Sequence, residues 1–367
     1  MRIGLDGTRW ADSTGFGRYT RGLWRALRED PRTMLFTGPD RLDISGTTMR
    51  IPSASIDGPH LMSRDVCLVQ SQLAYALEEH PVDIYHGLYF VVPLAIREQT
   101  ACVVTVHDLI FQELPKHHAR QAVNYFSGFG RASCSVAKSV IVPSEYVKTV
   151  VTSLWNVPER KITVVPMGVG EPFMADGCEA GMRDEGQPPY VMGGGGVAYR
   201  KNLAGLITAF GMLASDMPYD LVLFASSTDL PLAWRKTLGS LAPEVRRRIK
   251  YVGGCSDEEL SAWYRGASLF VYPTLAEGFG LPALEAMACG CPVLASPLTS
   301  VPEVVAGAGA YLRDPTEPRM IAEDIEKTLG DVGLLADLAR RGLERASRFT
   351  WRRCAELTLQ VYEALPY

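Results

Sequence analysis

An α/β chain built from two parallel-sheet domains is what this sequence predicts, and three observations carry the prediction. Its 367 residues exceed one core at roughly 100 to 200 residues per domain. Short apolar runs alternate with helix-like stretches from end to end, the pattern of βα units around parallel sheets. Between Gly168 and Pro189 the alternation stops, and GVGEPFMADGCEAGMRDEGQPP, rich in Gly, Pro and acids, reads as an interdomain linker. Two Rossmann-like domains, 1–167 and 190–348, then flank the linker 168–189 and leave a closing segment 349–367. Such a pair makes a natural cleft for ligands.

In the first half, strands are expected at Arg2–Leu5, Met34–Thr37, Ile84–His86, Cys102–Val106, Ser139–Val142 and Ile162–Val165, with a helix at Gly17–Arg28. Most of these strands end in a polar, Gly or Pro residue, where the carboxyl edge of a parallel sheet presents chemistry. The second half repeats the scheme with strands at Tyr190–Met192, Leu221–Ala225, Ile249–Val252, Leu269–Tyr272 and Val293–Ala295, and helices at Asn202–Leu213, Asp257–Arg265 and Leu281–Cys289. In Trp351–Leu365 the residues Leu357, Val361 and Leu365 recur at helical spacing. That helix either finishes the second domain or packs back on the first.

Composition excludes several classes. Hydrophobic residues at 47% and charged residues at 21% give an ordinary globular balance without the depletion that marks disorder. Lys plus Arg at 37 against 41 acids, a net charge of -4, argues against general nucleic-acid binding, which needs a basic footprint. The longest apolar run, Leu88–Ile96, is interrupted by Pro93 and falls far short of the roughly 20 residues that span a bilayer. No h-region or cleavage site follows Met1-Arg2, so the expectation is a mature start and a cytoplasmic protein. The eight cysteines include no CxxC pair, and Cys289-Gly-Cys291 lacks the further ligands of a zinc site. Free thiols and no metal are expected.

Chemistry concentrates in four stretches. Glu277-Gly-Phe-Gly-Leu-Pro-Ala-Leu-Glu285 places two carboxylates eight apart, one in a Gly-rich turn after a strand and one inside the next helix. If the helix starts near Gly280, its amides and dipole favour phosphate. A sugar nucleotide suits the spacing, with diphosphate at the helix start and a hydroxyl on each carboxylate. The alternative leaves Glu285 as an exposed helix residue and Gly278 and Gly280 as turn formers. In Val191–Asn202 a strand runs into four glycines, including Gly194, and then Arg200 and Lys201. Glycines admit close backbone approach and the two cations neutralise a departing diphosphate. Asp6-Gly7 ends the first strand and leads to Gly15-Phe16-Gly17-Arg18, a loop able to meet phosphate from the first domain. Finally, His107-Asp108 closes a strand, with Asp108 orienting or charging the imidazole. His86, at another strand end, is a weaker candidate for lining the same cleft. Arg18, Arg21, Arg25 and Arg28 share a helix stripe, either a solvated face or a peripheral contact with an anionic membrane surface.

Taken together, EGFGLPALE, the RKN turn at Arg200–Asn202, VTVHD, GFGRYT and the late Phe349-Thr-Trp351 resemble the retaining glycosyltransferases of family GT4, which have the GT-B fold, over essentially the whole chain. The resemblance implies that Glu277 with Gly278, Phe279, Gly280 and Leu281 binds the donor sugar, Glu285 the ribose, and Arg200 and Lys201 the diphosphate. It implies that Gly15, Gly17 and Gly194 approach the donor, that Val252 lies near the base, and that His107 sits beside the reacting sugar. Arg9, Trp10, Asp12, His107 and Asp108 would then contact the acceptor. Val197 stands where many relatives carry an Arg after the glycine, which leaves the diphosphate to Arg200 and Lys201. The implied reaction is metal-independent transfer of a hexose from a GDP-mannose-like or UDP- or dTDP-sugar, without a further cofactor, to a glycan, lipid-linked or small-molecule hydroxyl. The sequence leans towards bacterial polysaccharide or natural-product assembly. A GT-B epimerase or hydrolase, and a non-catalytic partner subunit, are the competing readings; the last expects lost carboxylates or cations, and here they are present.

Overall fold

The computed structural model describes residues 1–38, 44–51, 66–174, 188–230 and 232–365. Residues 175–187 of the expected linker and the last two of the closing segment lie outside these. The chain divides into two compact units, Met1–Gly168 together with Trp351–Tyr367, and Val169–Thr350.

In the first unit the strands are β1 (Ile3–Gly7), β2 (Thr33–Thr37), β3 (Thr48–Arg50), β4 (Ile84–Gly87), β5 (Ala101–Thr105), β6 (Ser139–Val142) and β7 (Ile162–Val164). They form one sheet in the order β3-β2-β1-β4-β5-β6-β7, parallel at every pairing. A parallel sheet is covered on both faces, which is why ACVVT and SVIV are apolar without alternation and buried throughout. Phe36, Tyr85, Val104, Val140 and Trp155 belong to the core that covers it. Strand β3 escaped the sequence reading because it is a three-residue edge strand with mostly exposed side chains. The first helix starts at Gly15, two residues before the expected position, because Thr14 caps it by accepting from the Phe16 amide. On its basic stripe, Arg21 donates to the Trp10 and Asp12 carbonyls and Arg28 to Ser45. Those two guanidiniums therefore clamp neighbouring loops. The helix Trp351–Glu363 lies against this first helix: a Cβ on Gly22 would stand 2.2 Å from the Trp351 ring.

The second unit holds β8 (Tyr190–Gly194), β9 (Asp220–Ala225), β10 (Ile249–Gly253), β11 (Leu269–Tyr272), β12 (Val293–Ala295) and β13 (Ala310–Tyr311). Their order is β10-β9-β8-β11-β12-β13, again all parallel. The two-residue β13 is too short to leave a sequence signal. Helix Leu203–Leu213 begins after Asn202, which takes a left-handed φ of 50°, so the helix does not include it. Helix Asp257–Gly266 starts on a capping box between Ser256 and Glu259.

Both sheets reverse strand order once, between β1 and β4 in the first unit and between β8 and β11 in the second. Open α/β sheets bind ligands outside the carboxyl ends of the strands at such a reversal. Among the described residues, no helix is long and apolar enough to cross a membrane.

Candidate active site

At the reversal in the second unit, the carboxyl end of β8 delivers Gly195 and Gly196, with φ of +107° and +128°, and then a short turn over Tyr199–Lys201. The carboxyl end of β11 delivers Tyr272, Thr274 and Glu277. The two loops are tied by backbone and side chain: the Leu275 amide donates to the Arg200 carbonyl at 2.7 Å, and Thr274 Oγ1 lies 3.1 Å from the same carbonyl. Arg200 Nη1 in turn donates to the Ala276 carbonyl at 2.9 Å.

Glu277 is the centre of this arrangement. Lys201 Nζ meets its Oε1 at 2.6 Å and Arg200 Nη1 meets its Oε2 at 2.6 Å. Thr274 Oγ1 donates to Oε1 at 2.8 Å, and the Tyr272 hydroxyl also bonds the carboxylate while lying 3.2 Å from Lys201 Nζ. A carboxylate offers about four acceptor sites, so these partners fill it. The main chain is fixed as well, the Glu277 amide donating to Thr299 Oγ1 and the Ser300 hydroxyl to the Glu277 carbonyl. Two cations and one carboxylate leave the cluster with one formal positive charge in a buried setting.

Burial alone would raise the Glu277 pKa, but Arg200 and Lys201 outweigh it and hold the carboxyl down at about 2, against an ordinary 4.5. A depressed folded pKa contributes stability above the unfolded value that is lost as pH falls. Glu277 therefore supplies on the order of 3 kcal/mol at neutral pH, lost between about pH 4.5 and 2.

The glycines separate into two roles. Gly195 lies against the next functional element, since a Cβ there would be 3.0 Å from Pro282 Cγ and 3.3 Å from Lys201 Nζ. Gly194 is buried in β8, where a Cβ would meet the Phe224 ring at 2.0 Å, so its missing side chain is required by core packing. Gly278, Phe279 and Gly280 make the turn into helix Leu281–Ala288, with Gly280 at φ +103° as its N-cap. Phe279 is buried against Phe349, ring centroids 5.9 Å apart, and that gives the late Phe-Thr-Trp stretch a packing function. Glu285 is 1% exposed, which excludes the solvated helix position. Val252 and Gly253 close β10, two strands from β8 and thus about 10 Å along the sheet edge.

In the first unit, His107 lies just beyond β5 and is buried. Its Nε2 lies 2.8 Å from the Leu88 carbonyl, so this nitrogen carries the proton and Nδ1 is the open lone pair. Phe16, Tyr19 and Phe90 surround the ring at centroid distances of 5.2, 4.8 and 5.9 Å. Burial lowers its pKa to about 4. The expected orienting and charging by Asp108 is therefore corrected: Leu88 orients the ring, the imidazole is neutral, and Asp108 Oδ1 accepts the Ile110 amide. His86 is also corrected, being fully buried and bonded through both ring nitrogens to Tyr362 and Thr105, so it lines no cleft. Its pKa falls to about 3, through burial first and then the neighbouring His107.

Of the loop after β1, Arg9 stacks on Tyr89 at 4.3 Å, the Trp10 carbonyl accepts from Arg21, and Asp12 Oδ1 accepts the Thr14 amide. Gly17 is required by packing, because a Cβ would stand 1.8 Å from the Asp12 carbonyl oxygen. Gly15 has open space where a Cβ would project.

The two histidines predict an acid-labile first unit. Each is neutral when folded and takes up a proton on unfolding below its ordinary 6.5, so stability is full above that value and falls as pH drops. The loss is steepest near pH 5, where the two groups together approach on the order of 3 kcal/mol per pH unit. Thermal melts should decline from pH 7 to 5, and a flat melting temperature over that range would contradict the assignment.

Sequence reading missed Tyr272, Thr274, Thr299 and Ser300 as the frame around Glu277. The only sequence trace of the last two is a Thr-Ser pair ahead of helix Val301–Val305.

Comparison with known proteins follows the same division. Residues 184–345 match the domain described as Glycosyl transferases group 1, and residues 13–170 match Glycosyltransferase Family 4. The chain is similar to the O-antigen chain mannosyltransferase B of Escherichia coli, 30% identical over 379 residues and covering 96% of each. Among solved structures it resembles a sucrose-phosphate synthase from Thermosynechococcus elongatus, with a TM-score of 0.80 at 21% identity over 99% of this chain and 98% of that one. HepE of Anabaena, solved in complex with UDP and glucose, superposes with a TM-score of 0.72 at 17% identity over the whole of both chains.

Proposed function

The chain belongs to the group 1 glycosyltransferases of family 4, with the GT-B fold, and from that premise we propose that it transfers a hexose from a nucleoside-diphosphate sugar to a hydroxyl of a glycan or lipid-linked acceptor, with retention and without a metal. The observation that supports this most is the Arg200–Glu277–Lys201 cluster, with Lys201 and Glu277 buried, at the strand reversal of the second unit, beside the start of helix Leu281–Ala288. A departing diphosphate needs positive charge already in place, and preorganised cations in a water-poor site act most strongly where charge develops. The cluster's excess positive charge and the helix amides meet that need. When donor binds, Arg200 and Lys201 turn part of their hydrogen bonding to the phosphates, which frees acceptor sites on Glu277 for a sugar hydroxyl. The bond from the anomeric carbon to the phosphate oxygen breaks, the acceptor oxygen bonds the same carbon on the same face, and its proton passes to the departing phosphate. His107, neutral and held by Leu88, acts on the acceptor side through Nδ1. Glu285 takes the ribose, and Val252 lies towards the base. The mannosyltransferase relative makes a GDP-mannose-type donor the first choice.

The test is a transfer assay in EDTA with GDP-mannose, UDP-glucose and dTDP-glucose, mannose-containing glycans as acceptors, and NMR of the product. An α-linked product from an α-donor is expected. Free sugar formed equally with and without acceptor would favour the hydrolase or epimerase reading instead.

A further inference from the structure

The first unit contains a chain of buried hydrogen bonds that starts on the C-terminal helix and ends at Tyr19, whose ring packs against His107. Tyr362 OH lies 2.6 Å from His86 Nδ1, and His86 Nε2 lies 2.8 Å from Thr105 Oγ1. Thr105 Oγ1 is 3.2 Å from Tyr19 OH, and the Tyr19 ring stands edge-on to His107. All of Tyr19, His86, Thr105 and Tyr362 are at most 1% exposed.

These contacts brace the two strands and the loops that leave them. Strands β4 and β5 pair up to Gly87 and Val104. Within that ladder the His86 side chain, in register with Val103, reaches diagonally to Thr105, and two residues further along each strand the Leu88 carbonyl meets the His107 ring. The Phe90 amide returns to the Thr105 carbonyl at 2.9 Å, closing the loop that carries Leu88, with Phe90 held at a left-handed φ of 54°. A non-glycine residue in that region persists only where its surroundings over-determine it. The same neutral ring, His86, thus fixes the strand that presents the Leu88 carbonyl and the strand that presents His107.

We propose that Tyr362, His86 and Thr105 are positioning residues for His107, so that the last turn of the C-terminal helix sets the placement of the imidazole. A chain of buried, mutually satisfied hydrogen bonds transmits placement because each unmade bond is costly in that setting. The hydroxyl of Tyr362 is the distal control point: it bonds His86, and removing it leaves His86 Nδ1 unsatisfied and free to retract. The proposal rests on the acceptor-side function given to His107 above.

Its test uses the full-length protein with Tyr362→Phe, which keeps the ring, and Thr105→Val beside Thr105→Ser as the conservative rescue. The primary readout is the ring-nitrogen NMR signal of His107, identified by its loss in His107→Gln. Expected are a displaced His107 signal in Tyr362→Phe and Thr105→Val, recovery in Thr105→Ser, and kcat lowered about tenfold with donor KM unchanged, as for loss of one hydrogen bond's worth of placement. An unmoved His107 signal overturns the proposal, whether or not melting temperature or activity falls. A displaced signal with unaltered kcat supports the positioning and instead overturns the function given to His107.

Discussion

Glu277→Gln should lower turnover by about 10²- to 10³-fold, the range for losing a preorganised electrostatic group, while nucleoside-diphosphate affinity stays within about threefold or tightens. The reason lies in the cluster's charge. Glu277 neutralises one of the two cations that contact it at 2.6 Å, so an amide in its place leaves Arg200 and Lys201 more positive and more available to phosphate. What is lost is the carboxylate that positions those cations and takes the sugar hydroxyl. The variant should also be less stable by about 3 kcal/mol, because it strands the buried Lys201 and the half-buried Arg200, and its acid-unfolding curve should lose the Glu277 limb between about pH 4.5 and 2. Steady-state kinetics with parallel nucleotide titrations check this, and affinity falling as far as turnover would contradict it.

Lys201→Ala should behave differently. Here the positive partner disappears from a site where Lys201 is 5% exposed, Glu277 is left with Arg200 alone, and the cluster becomes neutral. Nucleoside-diphosphate affinity should fall by about 10- to 100-fold, the value of one charge-assisted hydrogen bond, and turnover by about 10²- to 10³-fold. The contrast between the two variants, rather than either loss alone, distinguishes a donor phosphate site from a structural ion pair. A structural ion pair would give variants that differ in stability and agree in nucleotide affinity. Equal nucleotide affinity in Lys201→Ala and the native chain, measured in folded protein, would remove Lys201 from the donor site.

Much of this was legible in the sequence for identifiable reasons. Strands β6, β11 and β12 were read to the residue because strands buried on both faces are short apolar runs with polar or turn-forming ends. The start of helix Leu281–Ala288 was legible from Gly280 and Pro282, which suit the N-cap and the first turn. Residue type and spacing also singled out Arg200, Lys201 and Glu277. They could not show that the three are bonded to one another, because Lys201 and Glu277 are 76 residues apart and meet only through the β8–β11 pairing. Long-range pairing likewise hid other features of the site. His86 and His107 both read as histidines at strand ends in the sequence, but His86 lies inside β4 and His107 just beyond β5, and the Tyr362 and Thr105 contacts mark the former as a core histidine. Gly194 and Gly195 are adjacent in sequence, yet one faces Phe224 and the other Lys201. Asp108 looked like the partner of its neighbour His107, but the partner is Leu88, on the loop after another strand.

The most direct test of the central claim, that the Arg200–Glu277–Lys201 cluster is a metal-independent diphosphate site, is calorimetric titration in EDTA with GDP, UDP, dTDP and ADP, each beside its nucleoside. One diphosphate should bind, at least tenfold tighter than its nucleoside, with affinity that weakens as salt rises. A nucleoside that binds as tightly as its diphosphate, or no binding by any of the four in folded protein, would contradict it.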